Sequence, residues 1–294
     1  MIRFDDQVAI VTGAGAGLGR CHALGLAARG ARVVVNDMGQ ADDVVAEIEA
    51  AGGQAMGVAA DVSNSLDVSD MVKVVMDRWG RIDVLINNAG ILRDKTFAKM
   101  DMADFSKVIA VHLTGSALCC HAVWPIMRAQ GYGRIVLTSS GSGLYGNFGQ
   151  SNYAAAKAGM VGLMNTLHLE GARDDIRVNT LAPTAATAMT EGLLPEAALD
   201  LLQPETITPG VLYLASREAP SRTILAAGGG TFAVTQITET QGVLIDGDIT
   251  PEEVANMWSS ITDPTDAEPL ENAFAQTRKY ALRAAKAKGV DLDW

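Results

Sequence analysis

Tyr153 and Lys157 are the residues whose types and spacing point most directly to chemistry. They stand four positions apart in an alanine-rich run, so on a helix their side chains lie on one face and their ends can converge. A free tyrosine has a pKa of about 10, and lowering it to about 7 takes roughly 4 kcal/mol, which an ammonium group in a dry pocket can supply. We therefore expect Tyr153 to exchange protons and Lys157 to lower its pKa. Such a pair alone is also common in surface packing.

A hydroxyl group precedes this pair at Ser140, which closes the run Thr138-Ser139-Ser140 after an apolar segment. If that segment is a strand, Ser140 lies at the end of a sheet, where a substrate carbonyl oxygen would need a hydrogen-bond donor. The three side chains together predict proton transfer at a substrate oxygen that Ser140 polarises.

A glycine-rich turn, residues 13–19, lies between the first strand-like run and an amphipathic segment. Glycines at this place let the backbone approach a pyrophosphate, and the N-terminus of the following helix offers unpaired N–H groups. We expect this glycine turn to bind the phosphates of a dinucleotide. Its candidate residues are Gly13, Ala16, Gly17, Leu18 and Gly19.

Asp37 ends the second strand-like run, at the distance from the glycine turn that suits a ribose-binding acid. A carboxylate there can accept both adenosine ribose hydroxyls and would repel the 2′-phosphate of NADP, and no arginine follows immediately to counter it. The sequence therefore predicts NAD as the cofactor. The alternative is a solvated acid in a turn.

Two further segments follow strand-like runs and could approach a ligand. Asp61 and Val62 follow the third run, and Asn88, Ala89 and Gly90 follow the fourth. Amides and small residues at these places favour close contact with a ligand, although the same composition is ordinary turn chemistry.

The elements that would position these residues form an alternating pattern of short β-branched runs and longer helix-like segments. This pattern predicts an α/β fold with a Rossmann-type, doubly wound, seven-stranded parallel sheet and helices on both faces. Ligands of such sheets bind outside the carboxyl ends of the strands. The expected strands are Val8–Val11, Arg32–Asn36, Met56–Ala60, Val84–Asn87, Arg134–Thr138, Arg177–Leu181 and Thr223–Ala227.

The segment after Val234 changes character and carries two candidate helices, one starting at Thr250-Pro251 and one over about Leu270 to Lys288. We expect one NAD-binding and catalytic domain over residues 1–235. Residues 236–294 would form a C-terminal helical extension that packs on the same domain or a subunit interface, or covers a sheet edge.

Composition excludes several classes of function. The 294 residues carry a formal net charge of -11, so the surface repels phosphate backbones and anionic lipid, and we expect no nucleic-acid or membrane partner. The 3 cysteines show no metal-ligand spacing and no disulfide framework, so we expect no metal site and a reducing compartment. No signal peptide and no apolar stretch of transmembrane length is evident, which predicts a cytoplasmic protein.

Taken together, these motifs make the chain similar to the short-chain dehydrogenase/reductases over about residues 5 to 235. The resemblance implies that Tyr153 is the general acid/base, that Lys157 lowers its pKa and holds the nicotinamide ribose, and that Ser140 polarises the substrate oxygen. It also implies contacts of the glycine turn with the pyrophosphate. The other implied cofactor contacts are Asp61 and Val62 with the adenine, Asn88, Ala89 and Gly90 with the central cofactor, and Pro183 and Thr184 with the nicotinamide.

The sequence departs from the family pattern at two of these places. The usual Pro-Gly reads Pro183-Thr184, and His112 stands where the family commonly has an asparagine that holds a water of the proton relay. His112 could relay protons through its ring or its backbone carbonyl, or be a packed helix residue.

A closer resemblance concerns the substrate. The segments 87–94, 111–116 and 145–150 are similar to the (3R)-hydroxyacyl-CoA dehydrogenase part of peroxisomal multifunctional enzyme type 2. This implies oxidation of a (3R)-3-hydroxyacyl-CoA-like secondary alcohol, or the reverse reaction. The alternatives are a hydroxysteroid or other bulky-alcohol dehydrogenase and, more remotely, a non-catalytic NAD-binding sensor. The apolar stretch from Met189 to Leu202 lies where the family has a flexible substrate lid.

The helix expected to carry Tyr153 continues with an apolar surface around much of its circumference, through Met160, Leu163, Met164 and Leu167. A helix of this kind packs against another subunit as well as against the core of its own chain. We expect a homodimer or homotetramer.

Overall fold

In a computed structural model, the larger part of the chain folds around a single sheet of eight strands. The structure describes residues 1–39, 41–186, 195–247 and 249–294. The strand order is β3-β2-β1-β4-β5-β6-β7-β8, and the pairings from β3 across to β7 are parallel. The doubly wound parallel sheet is confirmed, with one strand more than the seven expected, because a short strand follows β7 at the edge.

The bounds of the strands agree with the sequence pattern to within a few residues. They are β1 Val8–Thr12, β2 Arg32–Asp37, β3 Gln54–Ala59, β4 Val84–Asn87, β5 Gly133–Thr138, β6 Ile176–Pro183, β7 Ile224–Gly228 and β8 Thr231–Thr235.

Helices connect the strands and continue after them. They are α1 Gly17–Ala27, α2 Ala41–Ala50, α3 Ser65–Trp79, α4 Met102–Ile109, α5 Gly115–Gln130, α6 Gly141–Tyr145, α7 Ser151–Gly171, α8 Glu196–Leu201, α9 Thr208–Ala215, α10 Pro251–Asn256, α11 Trp258–Ile261 and α12 Ala273–Ala287. A π-helical segment, Ala110–Thr114, lies between α4 and α5.

The central strand β1 shows why the sheet must be covered on both faces. All five of its residues are buried. Ala9 and Val11 belong to one hydrophobic cluster, whereas Val8 and Ile10 belong to the other. Because successive side chains of a strand point to opposite faces, a continuous apolar run requires helices on both sides.

The stretch Met102–Gln130 is 29 residues of uninterrupted helix, because the π-helical segment joins α4 to α5. By length and composition alone it could cross a membrane, and 39% of its most apolar window is buried. The expectation that no such stretch exists was therefore wrong. Its buried side chains, among them Cys119, Val123 and Met127, pack into the hydrophobic core, as those of core helices do.

The chain divides into two compact units, Met1–Val234 and Thr235–Trp294. In the second unit, the Thr250 hydroxyl accepts a hydrogen bond from the Glu253 N–H at 3.2 Å and caps α10, as its sequence predicts. In the same unit, Lys279 of α12 forms an ion pair with Glu239 at 3.1 Å. How the extension packs stays a prediction.

Candidate active site

The glycine turn is fixed by one buried hydroxyl and one amide side chain. The Thr12 hydroxyl, at the end of β1, accepts hydrogen bonds from the backbone N–H groups of Asn88 and Ala89 at 3.0 and 3.1 Å. The Asn88 side chain donates to the carbonyls of Thr12 and Gly13 at 3.1 and 3.0 Å. Asn88 therefore stabilises the glycine turn through its side chain, and these hydrogen bonds connect the carboxyl ends of β1 and β4.

Three glycines of the turn are required by geometry. Gly13 and Gly17 have φ angles of 60° and 52°, in the left-handed region that favours glycine. A Cβ atom at Gly13 would lie 2.7 Å from the Cα atom of Ala89, and one at Gly19 would clash with the Gly13 carbonyl oxygen. The N-cap of α1 is Ala16, which has no side-chain acceptor, so the first N–H groups of the helix are open to a phosphate.

Asp37 lies beside this turn at the end of β2. Its carboxylate accepts hydrogen bonds from the backbone N–H groups of Gly15 and Gly39, each at 3.1 Å. The structure thus brings the predicted ribose-binding acid to the predicted phosphate site. These residues fit a dinucleotide cofactor, because the close backbone approach, the open helix N-terminus and the carboxylate face one region.

The two residues predicted to contact an adenine have different surroundings. Asp61 accepts hydrogen bonds from the backbone N–H and the hydroxyl of Ser63 at 2.9 and 2.6 Å. These bonds hold the pKa of Asp61 below its usual range, and Lys107 lies 3.8 Å away. The side chain of Val62 is buried against Gly115.

Ser140, Tyr153 and Lys157 meet at the carboxyl end of β5. Ser140 is the N-cap of α6, where its hydroxyl accepts a hydrogen bond from the Ser142 N–H at 3.2 Å, and it acts on the pKa of Tyr153. The Lys157 ammonium nitrogen Nζ lies 5.5 Å from the centre of the Tyr153 ring and donates to the Thr138 carbonyl at 2.5 Å. The Ser139 hydroxyl donates to the Lys157 carbonyl at 2.8 Å. Helix α7 is thereby fixed against the strand that ends in Ser140.

The electrostatics of this trio differ from the sequence prediction. Burial raises the pKa of Tyr153 above its usual value, the hydrogen bond from Ser140 lowers it, and the charge of Asp94 raises it. Burial also lowers the pKa of Lys157 to about 7, and the lowering of the Tyr153 pKa by Lys157 stays a prediction. A lysine that holds its proton so weakly stabilises a tyrosinate less than a fully charged one does.

His112 lies in the π-helical segment, a local change of helix geometry that often marks functional sites. Its ring Nε2 lies 2.8 Å from the Ile91 carbonyl oxygen and 3.0 Å from the Ile91 nitrogen. The ring packs edge-on against Tyr153 with centroids 5.1 Å apart, and it touches Gly90. Burial and the nearby Lys157 lower the pKa of His112 to about 3. The contacts favour a role in holding Ile91 and Tyr153 over proton transfer through the ring.

The predicted nicotinamide contacts lie at the end of β6. Pro183 is the last residue of that strand, and the Thr184 N–H donates to the Ala227 carbonyl at 2.8 Å. Thr184 is exposed, so its side chain is accessible at the sheet end. Residues 189–194 of the expected substrate lid lie outside the described residues, and α8 covers part of the remainder.

Sequence reasoning missed several polar residues that hold the site together. They are Thr12, Asp94, Gln150 and Asn152. Asp94 and Gln150 lie within the segments 87–94 and 145–150 that were singled out for their resemblance, and Thr12 and Asn152 each precede a predicted site residue. Their roles depend on partners dozens of residues away, which spacing along the chain does not reveal.

The chain matches the family model for short chain dehydrogenases over residues 7–197. It is 45% identical over 285 residues to peroxisomal multifunctional enzyme type 2 of Drosophila melanogaster, covering 92% of this chain and 47% of that protein. The chain therefore spans about half the length of that relative. The structure of the full-length Drosophila protein superimposes with a TM-score of 0.84 and 39% identity, covering 97% of this chain and 50% of that one.

Two other proteins resemble the chain over most of their own length. A putative short-chain type dehydrogenase/reductase of Mycobacterium tuberculosis is 44% identical over 270 residues, covering 88% of this chain and 94% of that protein. A 7α-hydroxysteroid dehydrogenase complexed with NADH and 7-oxo glycochenodeoxycholic acid has a TM-score of 0.73 and 32% identity, covering 78% of this chain and 95% of that one. The chain thus belongs to the short-chain dehydrogenase family of oxidoreductases.

Proposed function

We propose that the protein is an NAD-dependent dehydrogenase that interconverts a secondary alcohol and a ketone, with a (3R)-3-hydroxyacyl-CoA-like substrate. The observation that carries this proposal is the convergence of Ser140, Tyr153 and Lys157 at the carboxyl end of β5, on the same edge of the sheet as the glycine turn. A general acid/base and a hydrogen-bond donor for one oxygen are what such a reaction needs from the protein.

In alcohol oxidation, Ser140 donates a hydrogen bond to the substrate oxygen and Tyr153 takes the hydroxyl proton. In the reverse direction, Tyr153 returns that proton to the ketone oxygen. A bound NAD supplies the hydride acceptor at its nicotinamide ring. Lys157, fixed by Thr138, would hold the nicotinamide ribose of a bound cofactor, with its ammonium group near the Tyr153 ring.

The choice of NAD over NADP rests on Asp37. Its carboxylate accepts a hydrogen bond from the Gly15 N–H of the glycine turn. A 2′-phosphate bound at this place would be repelled by the carboxylate. The hydroxysteroid dehydrogenase similar to this chain is complexed with NADH, which supports the same choice.

The acyl-CoA-like substrate rests on the similarity to multifunctional enzyme type 2. The surface near Ser140 is compatible with a bulky substrate, because the side chains of Tyr145 and Phe148 are 74% and 88% exposed just after it. The hydroxysteroid alternative rests on the structural neighbour that holds a bile acid derivative. The net charge of -11 weighs mildly against an anionic carrier such as CoA.

We also propose a cytoplasmic homodimer or homotetramer that uses the faces of α5 and α7. A pocket lined by Leu118, Trp124, Leu163 and Leu167 opens between these helices, and a second copy of the chain would cover it. Light scattering tests this part, and a monomer would contradict it. A reducing compartment is consistent with the three free, buried cysteines among the described residues.

The deciding experiment measures NADH or NADPH formation by the purified protein with racemic 3-hydroxyacyl-CoA esters, hydroxysteroids and simple secondary alcohols. Turnover of the CoA esters with NAD supports the proposal, whereas turnover of steroids alone moves the function to the alternative. The control is Tyr153→Phe, which should bind NADH and lose turnover. If the wild-type protein binds NADH and turns over none of these alcohols, the result favours the alternative of a cofactor-binding sensor.

A further inference from the structure

A buried amide joins the loop after β4 to the turn that carries Ser140. Gln150 is only 6% exposed. Its side-chain oxygen accepts hydrogen bonds from the Ser142 hydroxyl at 2.7 Å and from the Asn147 side chain at 3.1 Å. Its side-chain nitrogen donates to a carboxylate oxygen of Asp94 at 2.7 Å. Gln150 therefore links Asp94 to the residues that follow the Ser140 cap.

The backbone on both sides of Asp94 is tied to the same segment. The side chain of Asn152, which is fully buried, donates to the Arg93 carbonyl at 2.9 Å. The Lys95 N–H donates to the Gly149 carbonyl, also at 2.9 Å. Three successive residues of this loop are thus bonded to the segment that leads into α7. Asp94 has a fixed place beside the first turn of the helix that carries Tyr153.

The charge of Asp94 acts on Tyr153 from outside the proton-transfer trio. Lys157 on its own helix and His112 on the π-helical segment lie against the Tyr153 ring, and Ser140 at the strand end and Asp94 on the loop act on the Tyr153 pKa. The neighbouring Arg93 lies 3.6 Å from Asp104 instead. Asp94 is the negative charge among these four groups, and a negative charge disfavours a tyrosinate.

We infer that Asp94 and Gln150 are positioning residues for proton transfer, with Gln150 holding the Asp94 carboxylate at a fixed place beside the start of α7, the helix whose first turn carries Tyr153. This inference rests on the proposed function, because it assumes that Tyr153 is the group that exchanges the proton. The pair thereby favours the protonated tyrosine, which is the form that donates to a ketone oxygen. In the direction of oxidation, it sets the pH at which the enzyme becomes active.

The test compares Asp94→Asn with Asp104→Asn, which removes the same charge from an exposed carboxylate on α4. Asp94→Asn keeps a polar group for Gln150 and removes the charge. We expect the acid limb of kcat/KM for alcohol oxidation to move to lower pH by about half a unit in this variant. The limb should not move in Asp104→Asn. An unmoved limb in both variants would overturn the inference.

The role of Gln150 is tested with Gln150→Ala and the double variant. Releasing the carboxylate should move the acid limb in the same direction as Asp94→Asn. The double variant should move it no further than Asp94→Asn alone, because residues that act as a unit are not additive. Additive shifts would show that Gln150 does not act through Asp94.

A second readout needs no substrate. The tyrosinate absorbance of the protein is titrated and compared with that of Tyr153→Phe, so that the difference reports the ionisation of Tyr153. Asp94→Asn should lower the midpoint of this difference, and an unchanged midpoint would overturn the inference. If no alcohol is turned over, the proposed function fails, while this titration still decides whether Asp94 acts on Tyr153.

Discussion

The two halves of the site are built in different ways. On one side, the glycine turn and Asp37 use backbone geometry and a surface carboxylate at the ends of β1 and β2. On the other, the trio at the end of β5 uses buried polar side chains, including a lysine only 3% exposed. The first half depends on a local backbone conformation that glycine spacing encodes, although Asn88 of a distant strand end also holds it, and the second depends on how deeply its side chains are buried. Substitutions in the two halves should therefore fail in different ways.

The largest expected effect is the loss of the oxygen-polarising donor in the buried half. Ser140→Ala should lower kcat by roughly a thousandfold, the upper range for removing one such donor. Because the hydrogen bond from Ser140 lowers the pKa of Tyr153, its removal should also move the acid limb of oxidation to higher pH. Steady-state kinetics across pH check both expectations.

The control for this variant is Ser151→Ala, whose hydroxyl contacts only the sulfur of Met100 at 3.5 Å among the described residues. It should keep the wild-type rate and pH profile. A Ser140→Ala enzyme that retained the wild-type kcat would show that the buried half is not the catalytic centre.

The next effect concerns the cofactor half. Asp37→Ser removes the charge that would repel a 2′-phosphate, and like-charge contact costs about 3 kcal/mol, so kcat/KM with NADP should rise by roughly a hundredfold. The value with NAD should fall, because the ribose acceptor is lost. Initial rates with both cofactors measure the change. The control Asp43→Ser alters an exposed acid on α2, and an equal gain there would contradict the role of Asp37.

More of the cofactor half than of the buried half could be predicted from the sequence, and the reason is physical. Glycine spacing and the acid at Asp37 fix a local backbone geometry, so the turn could be read from the residues alone. The pKa of Tyr153 depends on burial and on Asp94, and that of Lys157 on the depth of its pocket. Neither can be read from an i, i+4 spacing.

The fold shows the same division. Seven strands followed from apolar runs bounded by turns, because burial on both faces leaves a plain signature. The eighth strand, Thr231–Thr235, was missed because most of its residues are exposed. The continuous helix across Ala110–Thr114 was missed because a π-helical turn has no simple sequence pattern.

A smaller effect is expected at Lys157, where a substitution should raise the stability of the fold and lower the activity. Burial lowers the pKa of this lysine from 10.5 to about 7, so the folded chain holds the proton less firmly than the unfolded chain. The resulting cost is fully present below pH 7 and declines as the pH rises from 7 to 10.5. Lys157→Met loses the hydrogen bond to Thr138 but also removes this cost, so it should stabilise the protein by about 1 to 3 kcal/mol near neutral pH while kcat falls.

Urea unfolding at about pH 6 and about pH 10 checks this prediction, since the gain should shrink at the higher pH. A matched control is Lys107→Met, whose ammonium group is exposed and lies near Asp61. That variant should not be stabilised. A destabilised Lys157→Met protein at both pH values would mean that its hydrogen bond to Thr138 outweighs the cost of burial.

The smallest expected effect tests where the boundary between the two halves lies. His112 holds the Ile91 backbone with one ring nitrogen and packs against Tyr153 with its edge, so it touches the loop on the cofactor side and the acid/base on the other. Because burial and Lys157 lower its pKa to about 3, the ring does not titrate near neutrality. His112→Asn should therefore lower kcat by about tenfold, through a displaced Ile91 loop, and leave the pH profile unchanged. A shifted acid limb would instead assign His112 to the proton path, and the buried half would extend into the π-helical segment.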